Sequence, residues 1–171
     1  TDDNLISVAV IGKPNVGKSS IINALVGEKV AITSPKPQTT RSNLRAIITQ
    51  TDYQMIFIDT PGIHKPKNKL GEFMVNSASS TFSEVDVIVM VCDATDKSFS
   101  RIDENIIESL KSSSNKPVIL VINKTDAVVK ESLLEKIAEY SSLYSFNEIL
   151  PLSALKGDGI ETLKNIILKY L

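Results

Sequence analysis

Leu5-Ile6-Ser7-Val8-Ala9-Val10-Ile11 runs without a break into Gly12-Lys13-Pro14-Asn15-Val16-Gly17-Lys18-Ser19, and Ile21, Ile22, Leu25 and Val26 follow at helical spacing. An apolar, β-branched run is the pattern of a strand buried in a parallel sheet. The string after it fits G-x-x-x-x-G-K-[ST], with Gly12, Gly17, Lys18 and Ser19 at the required places. Glycine at both ends permits backbone angles and close approaches that a β-carbon would block. Strand, glycine loop and helix in this order turn backbone N–H groups inward as a nest for phosphate oxygens and set a helix N-terminus beneath them. Gly12, Lys13, Pro14, Asn15, Val16, Gly17, Lys18, Ser19 and Ser20 are therefore expected to cradle a phosphate chain. Lys18 is expected to reach the β- and γ-phosphates and the Ser19 hydroxyl to ligate Mg²⁺.

Apolar strand-like runs alternate with helical ones along the rest of the chain, which argues for helices around a mostly parallel sheet. Candidate strands are 5–11, 43–50, 53–59, 86–92, 117–122 and 148–152. Only Thr51-Asp52 separates 43–50 from 53–59. So short a link cannot hold a crossover helix, so these two strands are expected to form an antiparallel hairpin. The other links are long enough for right-handed crossovers. Three further apolar stripes mark sheet-facing helix sides: Ile102, Ile106, Ile107 and Leu110; Leu133, Leu134 and Ile137; Ile160, Leu163, Ile167 and Leu171. The expected fold is an α/β P-loop NTPase three-layer arrangement of one domain, residues 1–171. Its six-stranded sheet is mostly parallel with one antiparallel edge strand, and helices cover both faces. The stretches 28–42 and 61–70 carry Pro35, Pro37, Pro61, Gly62 and Pro66 and read as loops near the strand ends, where ligands bind in open α/β sheets.

Composition bounds what else the chain can do. Its 171 residues suffice for one domain with a substantial core. A formal net charge of −1 gives no global basic field for nucleic acid or acidic lipid. Cys92 is the sole cysteine, so it can form no intrachain disulfide or cysteine metal cluster, and it sits in a strand-like run as a small core residue. No apolar run approaches a membrane span and no signal peptide is visible, so a reducing cytoplasm is the expected compartment. The chain opens Thr1-Asp2-Asp3 without methionine, as an excised piece of a longer protein is expected to.

Three further segments supply chemistry. Asp59-Thr60-Pro61-Gly62 closes the third strand. An acid there is placed like the Asp that holds Mg²⁺ in P-loop NTPases, and Gly62 can bring its N–H close to a γ-phosphate. Asn123-Lys124-Thr125-Asp126 follows Val118-Ile119-Leu120-Val121-Ile122, again at a strand's carboxyl end. A carboxylate only accepts, so Asp126 can take hydrogen bonds from the N1–H and 2-amino group of guanine, where adenine offers no donor. Lys124 is expected to lie along the ring and buttress the phosphate loop, and Asn123 to tie the loops together. Ser153-Ala154-Leu155 closes another short strand, and the Ala154 N–H is expected to donate to guanine O6. The first loop, Lys36-Pro37-Gln38-Thr39-Thr40-Arg41, holds the hydroxyl a switch needs on Mg²⁺ when γ-phosphate is present. Thr40 is the first candidate and Thr39 the second. Ser19, Thr40 and Asp59 make up the expected metal set. GTP or GDP with Mg²⁺ is the expected cofactor set.

These segments in this order resemble translation-factor-type GTPases. GKPNVGKSS, SPKPQTTR and above all DTPGIHKPKNKLGEFM are similar to the Era family of bacterial GTPases. That resemblance covers the whole chain. It implies a cytoplasmic monomer whose GTPase cycle serves assembly of the small ribosomal subunit, with peripheral inner-membrane contact allowed. It also implies a C-terminal KH domain that binds small-subunit rRNA. No GXXG loop of KH type occurs between Thr1 and Leu171, so RNA binding is expected of the longer protein.

The catalytic set expected is Lys18, Thr40, Gly62 and Asn15. Where many GTPases carry a water-orienting glutamine after DxxG, this chain has Ile63, which implies slow intrinsic hydrolysis. Related GTPases with an asparagine at the Asn15 position can use K⁺ in place of an arginine finger, which implies K⁺ stimulation. The competing expectation is a module that senses GTP against GDP with negligible turnover of its own. A P-loop ATPase or kinase is the third reading, and Asp126 speaks against it.

Overall fold

The computed structural model describes residues 5–13, 16–27, 44–49, 53–59, 85–97, 99–113 and 115–171, with backbone alone for 44–49, 59 and 113. In chain order the elements are β1 (Leu5–Ile11), α1 (Lys18–Val26), β2 (Leu44–Thr49), β3 (Gln54–Asp59), β4 (Val87–Asp93), α2 (Arg101–Ser113), β5 (Val118–Asn123), a 3₁₀ turn (Thr125–Ala127), α3 (Lys130–Leu143), β6 (Glu148–Pro151) and α4 (Ile160–Leu168). The strands follow the expected ones within one residue at each end.

The six strands form one sheet in the order β2-β3-β1-β4-β5-β6. β2 runs antiparallel to β3, as the two-residue link demands, with a register shift between Leu44 and Ala46. All other neighbours are parallel. The chain moves to one side of β1 for β2 and β3 and to the other for β4, β5 and β6. The order therefore reverses at β1, and the carboxyl end of β1 faces the crevice where such sheets bind ligands. Register brings the strand ends level there: Val10 pairs with Asp59, Ile11 with Met90, and Asp93 with Asn123.

Period-two alternation sorts the strand side chains into two cores. Ile6, Val8, Val10, Met55, Phe57, Val89 and Val121 pack with Ile21, Ile22 and Leu25 of α1 and Leu163 and Ile167 of α4. Ala9, Ile11, Ile88, Met90, Leu120 and Ile122 pack on the other face with Ile106, Ile107 and Leu110 of α2 and Tyr140 of α3. This is the expected three-layer arrangement. Among the described residues no helix is long and apolar enough to cross a membrane.

Two stripe residues are corrected. Leu134 is 54% exposed. The sheet-facing side of α3 runs through Leu133, Ile137 and Tyr140, spaced four and three apart, and Leu134 lies off that line. Leu171 is also exposed, because α4 ends at Leu168. Tyr140 takes the place Leu134 was expected to fill, packing edge-to-face on Phe99 with ring centroids 5.5 Å apart. Cys92 is buried between the sheet and these rings, and burial pushes its thiol up to about 12, which fits a core residue.

Candidate functional site: a phosphate loop facing a base-reading loop

Gly12 and Gly17 bracket the loop that leaves β1, and both need glycine. Gly12 has φ +155°, and a β-carbon on it would lie 2.6 Å from the Val91 carbonyl oxygen. Gly17 has φ +101°, and a β-carbon there would run into the side-chain amide of Asn123. Gly17 is also the residue before α1, with no side-chain cap, and the first turn of α1 carries no acid. The positive end of this helix dipole is therefore not neutralised by its own side chains and is available to an anion. Ser19 and Ser20 are exposed on that first turn. Lys18 folds back across the loop, and its Nζ donates to the Gly12 carbonyl at 2.8 Å. Pro14, Asn15, Thr39, Thr40, Gly62 and Ile63 lie outside the described residues, as does the side chain of Asp59; the backbone of Asp59 ends β3 beside Val10.

Asn123 joins three parts of the chain. Its Nδ2 donates to the Val16 carbonyl at 3.0 Å, and its Oδ1 accepts from the Ala154 N–H at 3.0 Å. Only 3% exposed, this amide ties the phosphate loop to the turn after β6, as expected of it. Lys124 follows with φ 68°, the one positive φ at a non-glycine among the described residues. Its strained backbone lets Thr125 bond Leu152, through N–H at 3.2 Å and Oγ1 at 2.9 Å to the same carbonyl. Ser153 Oγ donates to Asp126 Oδ1 at 2.7 Å, which fixes the carboxylate at the mouth of the site.

Gly17, Ser20, Asn123, Lys124, Asp126, Ala154 and Leu155 thus surround one cavity of about 370 Å³. That volume lies within the range of small-molecule sites. A larger hollow of about 720 Å³ lies between residues 94–97 and α3, but no described residue of the phosphate loop lines it. Convergent donors and acceptors mark the smaller one as the candidate site.

One detail differs from the sequence expectation. The Ala154 N–H, assigned to guanine O6, is engaged by Asn123 Oδ1. The neighbouring Lys156 N–H is turned to Ser153 Oγ at 3.2 Å. Asp126 is exposed at the mouth of the cavity.

Charged partners that the sequence left unassigned hold both loops. Asp93 ends β4 beside Asn123, and its Oδ2 lies 2.8 Å from Lys124 Nζ while its Oδ1 accepts from Thr95 N–H and Oγ1. Burial alone would raise the Asp93 carboxyl, but the Lys124 ammonium and the Thr95 donors hold it below its ordinary value of 3.8. With the folded value depressed, this contact adds stability above the unfolded value and loses it as pH falls through the folded one. Asp93→Asn is therefore expected to lower the unfolding free energy by about 1–3 kcal/mol at neutral pH. The gap should close as pH drops well below 3.8. Urea titrations of both proteins at neutral and acid pH measure it. Lys13 sits on the other side, with Nζ 2.5 Å from Asp96 and 3.7 Å from Asp103. Burial works to lower the Lys13 ammonium, but the two carboxylates together hold it above its ordinary value. The sequence signals for these partners were an acid at a strand end and Ser100-x-x-Asp103, a capping-box pattern at the start of α2.

A family model described as 50S ribosome-binding GTPase matches residues 7–124, the span from β1 through Lys124. The chain belongs to this GTPase family. Curated GTPase Era proteins of Clostridium novyi and Ruminiclostridium cellulolyticum are 48% and 51% identical to this GTPase-family chain over 164 residues, 96% of its length. A solved structure of Era in complex with MgGDPNP and nucleotides 1506–1542 of 16S ribosomal RNA is 43% identical with a TM-score of 0.78, over 98% of this chain and 57% of that one. The Era resemblance carried by KPQTTR and HKPKNKLG thus extends across nearly the whole chain. This GTPase-family chain spans about half the length of the curated relatives it matches, 55% and 54% of them.

Proposed function

We propose that the chain is a GTP-binding and GTP-hydrolysing switch domain of Era type. The observation that carries this reading is Asn123, which links the phosphate loop to the turn after β6 while Asp126 faces the same cavity. A donor nest for phosphates and a carboxylate acceptor for a base, held at fixed separation, suit a guanine nucleotide. Gly12, Lys13, Pro14, Asn15, Val16, Gly17, Lys18, Ser19 and Ser20 would hold the phosphates. Asn123, Lys124 and Asp126 would hold the base with Ser153, Ala154 and Leu155. Since the Ala154 N–H serves Asn123, guanine O6 is reached either by sharing that N–H or by the N–H of exposed Leu155.

The exposed Ser19 hydroxyl at the head of α1 and Asp59, level with Val10 at the end of β3, supply the hard oxygen donors that suit Mg²⁺, with Thr40 or Thr39 as the switch ligand. When bound, Mg²⁺ neutralises charge between the β- and γ-phosphates. In our reading Lys18 and the backbone of Gly62 hold the γ-phosphate, and Thr40 orders the first loop in the GTP state. Ile63 cannot orient water, so intrinsic turnover should be slow, with Asn15 providing the position for stimulation by K⁺. The likeness to Era, one solved structure of which holds 16S ribosomal RNA, supports a role in small-subunit assembly within a longer protein. We place that protein in the cytoplasm as a monomer, with peripheral membrane contact allowed.

Ile63 also favours a second reading, a sensor of GTP against GDP with negligible turnover. Single-turnover phosphate release, in matched KCl and NaCl and with or without small ribosomal subunits, separates the two. The switch reading expects slow release that rises in KCl or with subunits. No release under any of these conditions supports the sensor, and equal rates in the two salts reject K⁺ stimulation.

A further inference from the structure

We propose that Asp103, acting through Lys13, is a positioning residue for the phosphate loop. Lys13 follows Gly12 directly and is thus part of the loop itself. Its ammonium is gripped by Asp96 at 2.5 Å and lies 3.7 Å from Asp103 Oδ2. Asp103 is 1% exposed, and its buried Oδ1 has no hydrogen-bond partner among the described residues. Its Oδ2 closes the capping box of α2, accepting from Ser100 Oγ at 2.9 Å, while the Asp103 N–H donates back to Ser100 Oγ at 3.2 Å. The cap gives Oδ2 its hydrogen bonds but leaves the carboxylate's charge unbalanced. A fully buried carboxylate is unfavourable unless a cation stands near. Lys13 is that cation, so α2 holds one end of the phosphate loop as Lys18, bonded to Gly12, holds the loop across its width.

The same connection reaches the other half of the site. Asp93, Asp96 and Asp103 all lie in β4, α2 or the stretch between them, and Asp93 grips Lys124 of the base-reading loop at 2.8 Å. One segment therefore takes a lysine from each of the two loops that face the cavity. Pinning both loops to one segment fixes the distance between the phosphate nest and the base reader. Small misplacements of such groups are costly to binding.

This inference rests on the nucleotide reading, and its test keeps the two apart. Affinities of wild type and Asp103→Asn for GDP and for GMP, which lacks the β-phosphate, are measured by competition against a fluorescent GDP. Asparagine keeps the cap acceptor and removes the charge. Positioning requires GDP affinity to fall about tenfold, with GMP affinity unchanged within about twofold. Charge repulsion alone would give the opposite sign, because removing a carboxylate near a phosphate should tighten GDP. Lys13→Met should reproduce the selective loss, and Lys13→Arg should restore most of it. Lys13→Met also serves if Asp103→Asn does not fold. Unchanged or tighter GDP binding, or equal loss of GDP and GMP, overturns the proposal. A wild-type protein that takes up no GDP overturns the nucleotide reading and the proposal with it.

Discussion

Asp126→Asn is expected to lower GDP affinity by about 10⁴ and to turn the site toward xanthine nucleotides. Guanine presents two donors to position 126, and an asparagine can match only one of them. Its amide must offer either an acceptor or a donor to each partner, while a carboxylate accepts at both oxygens. Ser153 decides which way the amide turns. Its Oγ donates to Asp126 Oδ1 at 2.7 Å, so the amide oxygen would keep that bond and direct Nδ2 toward the base. A donor there opposes the guanine 2-amino group and suits the carbonyl that xanthine carries in its place. Competition with GDP and XDP reads the exchange. A variant that keeps its preference for GDP would remove Asp126 from the base-reading role. Adding Ser153→Ala should weaken the switch toward XDP by freeing the amide.

Gly17→Ala carries the second large effect. The residue holds φ +101°, a region that costs an L-residue about 1–2 kcal/mol. The added β-carbon also strikes the Asn123 amide, which carries the bonds to Val16 and Ala154. One methyl group thus disturbs the phosphate loop, the base-reading loop and the turn after β6 together. GDP affinity is expected to fall about 100-fold, and the melting temperature by about 5 °C. Calorimetry and nucleotide titration measure the two. Making the same change in an Asn123→Ala background should have a smaller effect, because the group it strikes is already gone. Full additivity of the two substitutions would mean that they act through separate contacts.

What the chain's residues disclose before folding depends on how local the determinant is. The phosphate loop and Asn123-Lys124-Thr125-Asp126 are short strings whose strand and helix flanks lie beside them, so their place at the carboxyl ends of β1 and β5 could be read directly. The hairpin of β2 and β3 followed from a two-residue link. Burial on α3 could not be read that way. Leu133, Leu134 and Ile137 are all apolar, and only docking on the sheet decides that Tyr140 completes the inward line and Leu134 faces water. Asp93, Asp96 and Asp103 escaped for a related reason. Each is an ordinary acid in the sequence, and its partner is chosen by the β4–β5 register and by where α2 begins. The Ala154 N–H was assigned to the base because its competitor, Asn123 Oδ1, arrives from a strand 31 residues away.

The central claim is that a base-reading carboxylate and a phosphate nest form one guanine-nucleotide site. Titration of the wild-type chain with GDP and with ADP, at equal Mg²⁺, tests it most directly. Tight, saturable GDP binding is expected, with a preference over ADP of about 10³ or more. Equal affinity for the two, or no binding of GDP, would contradict it.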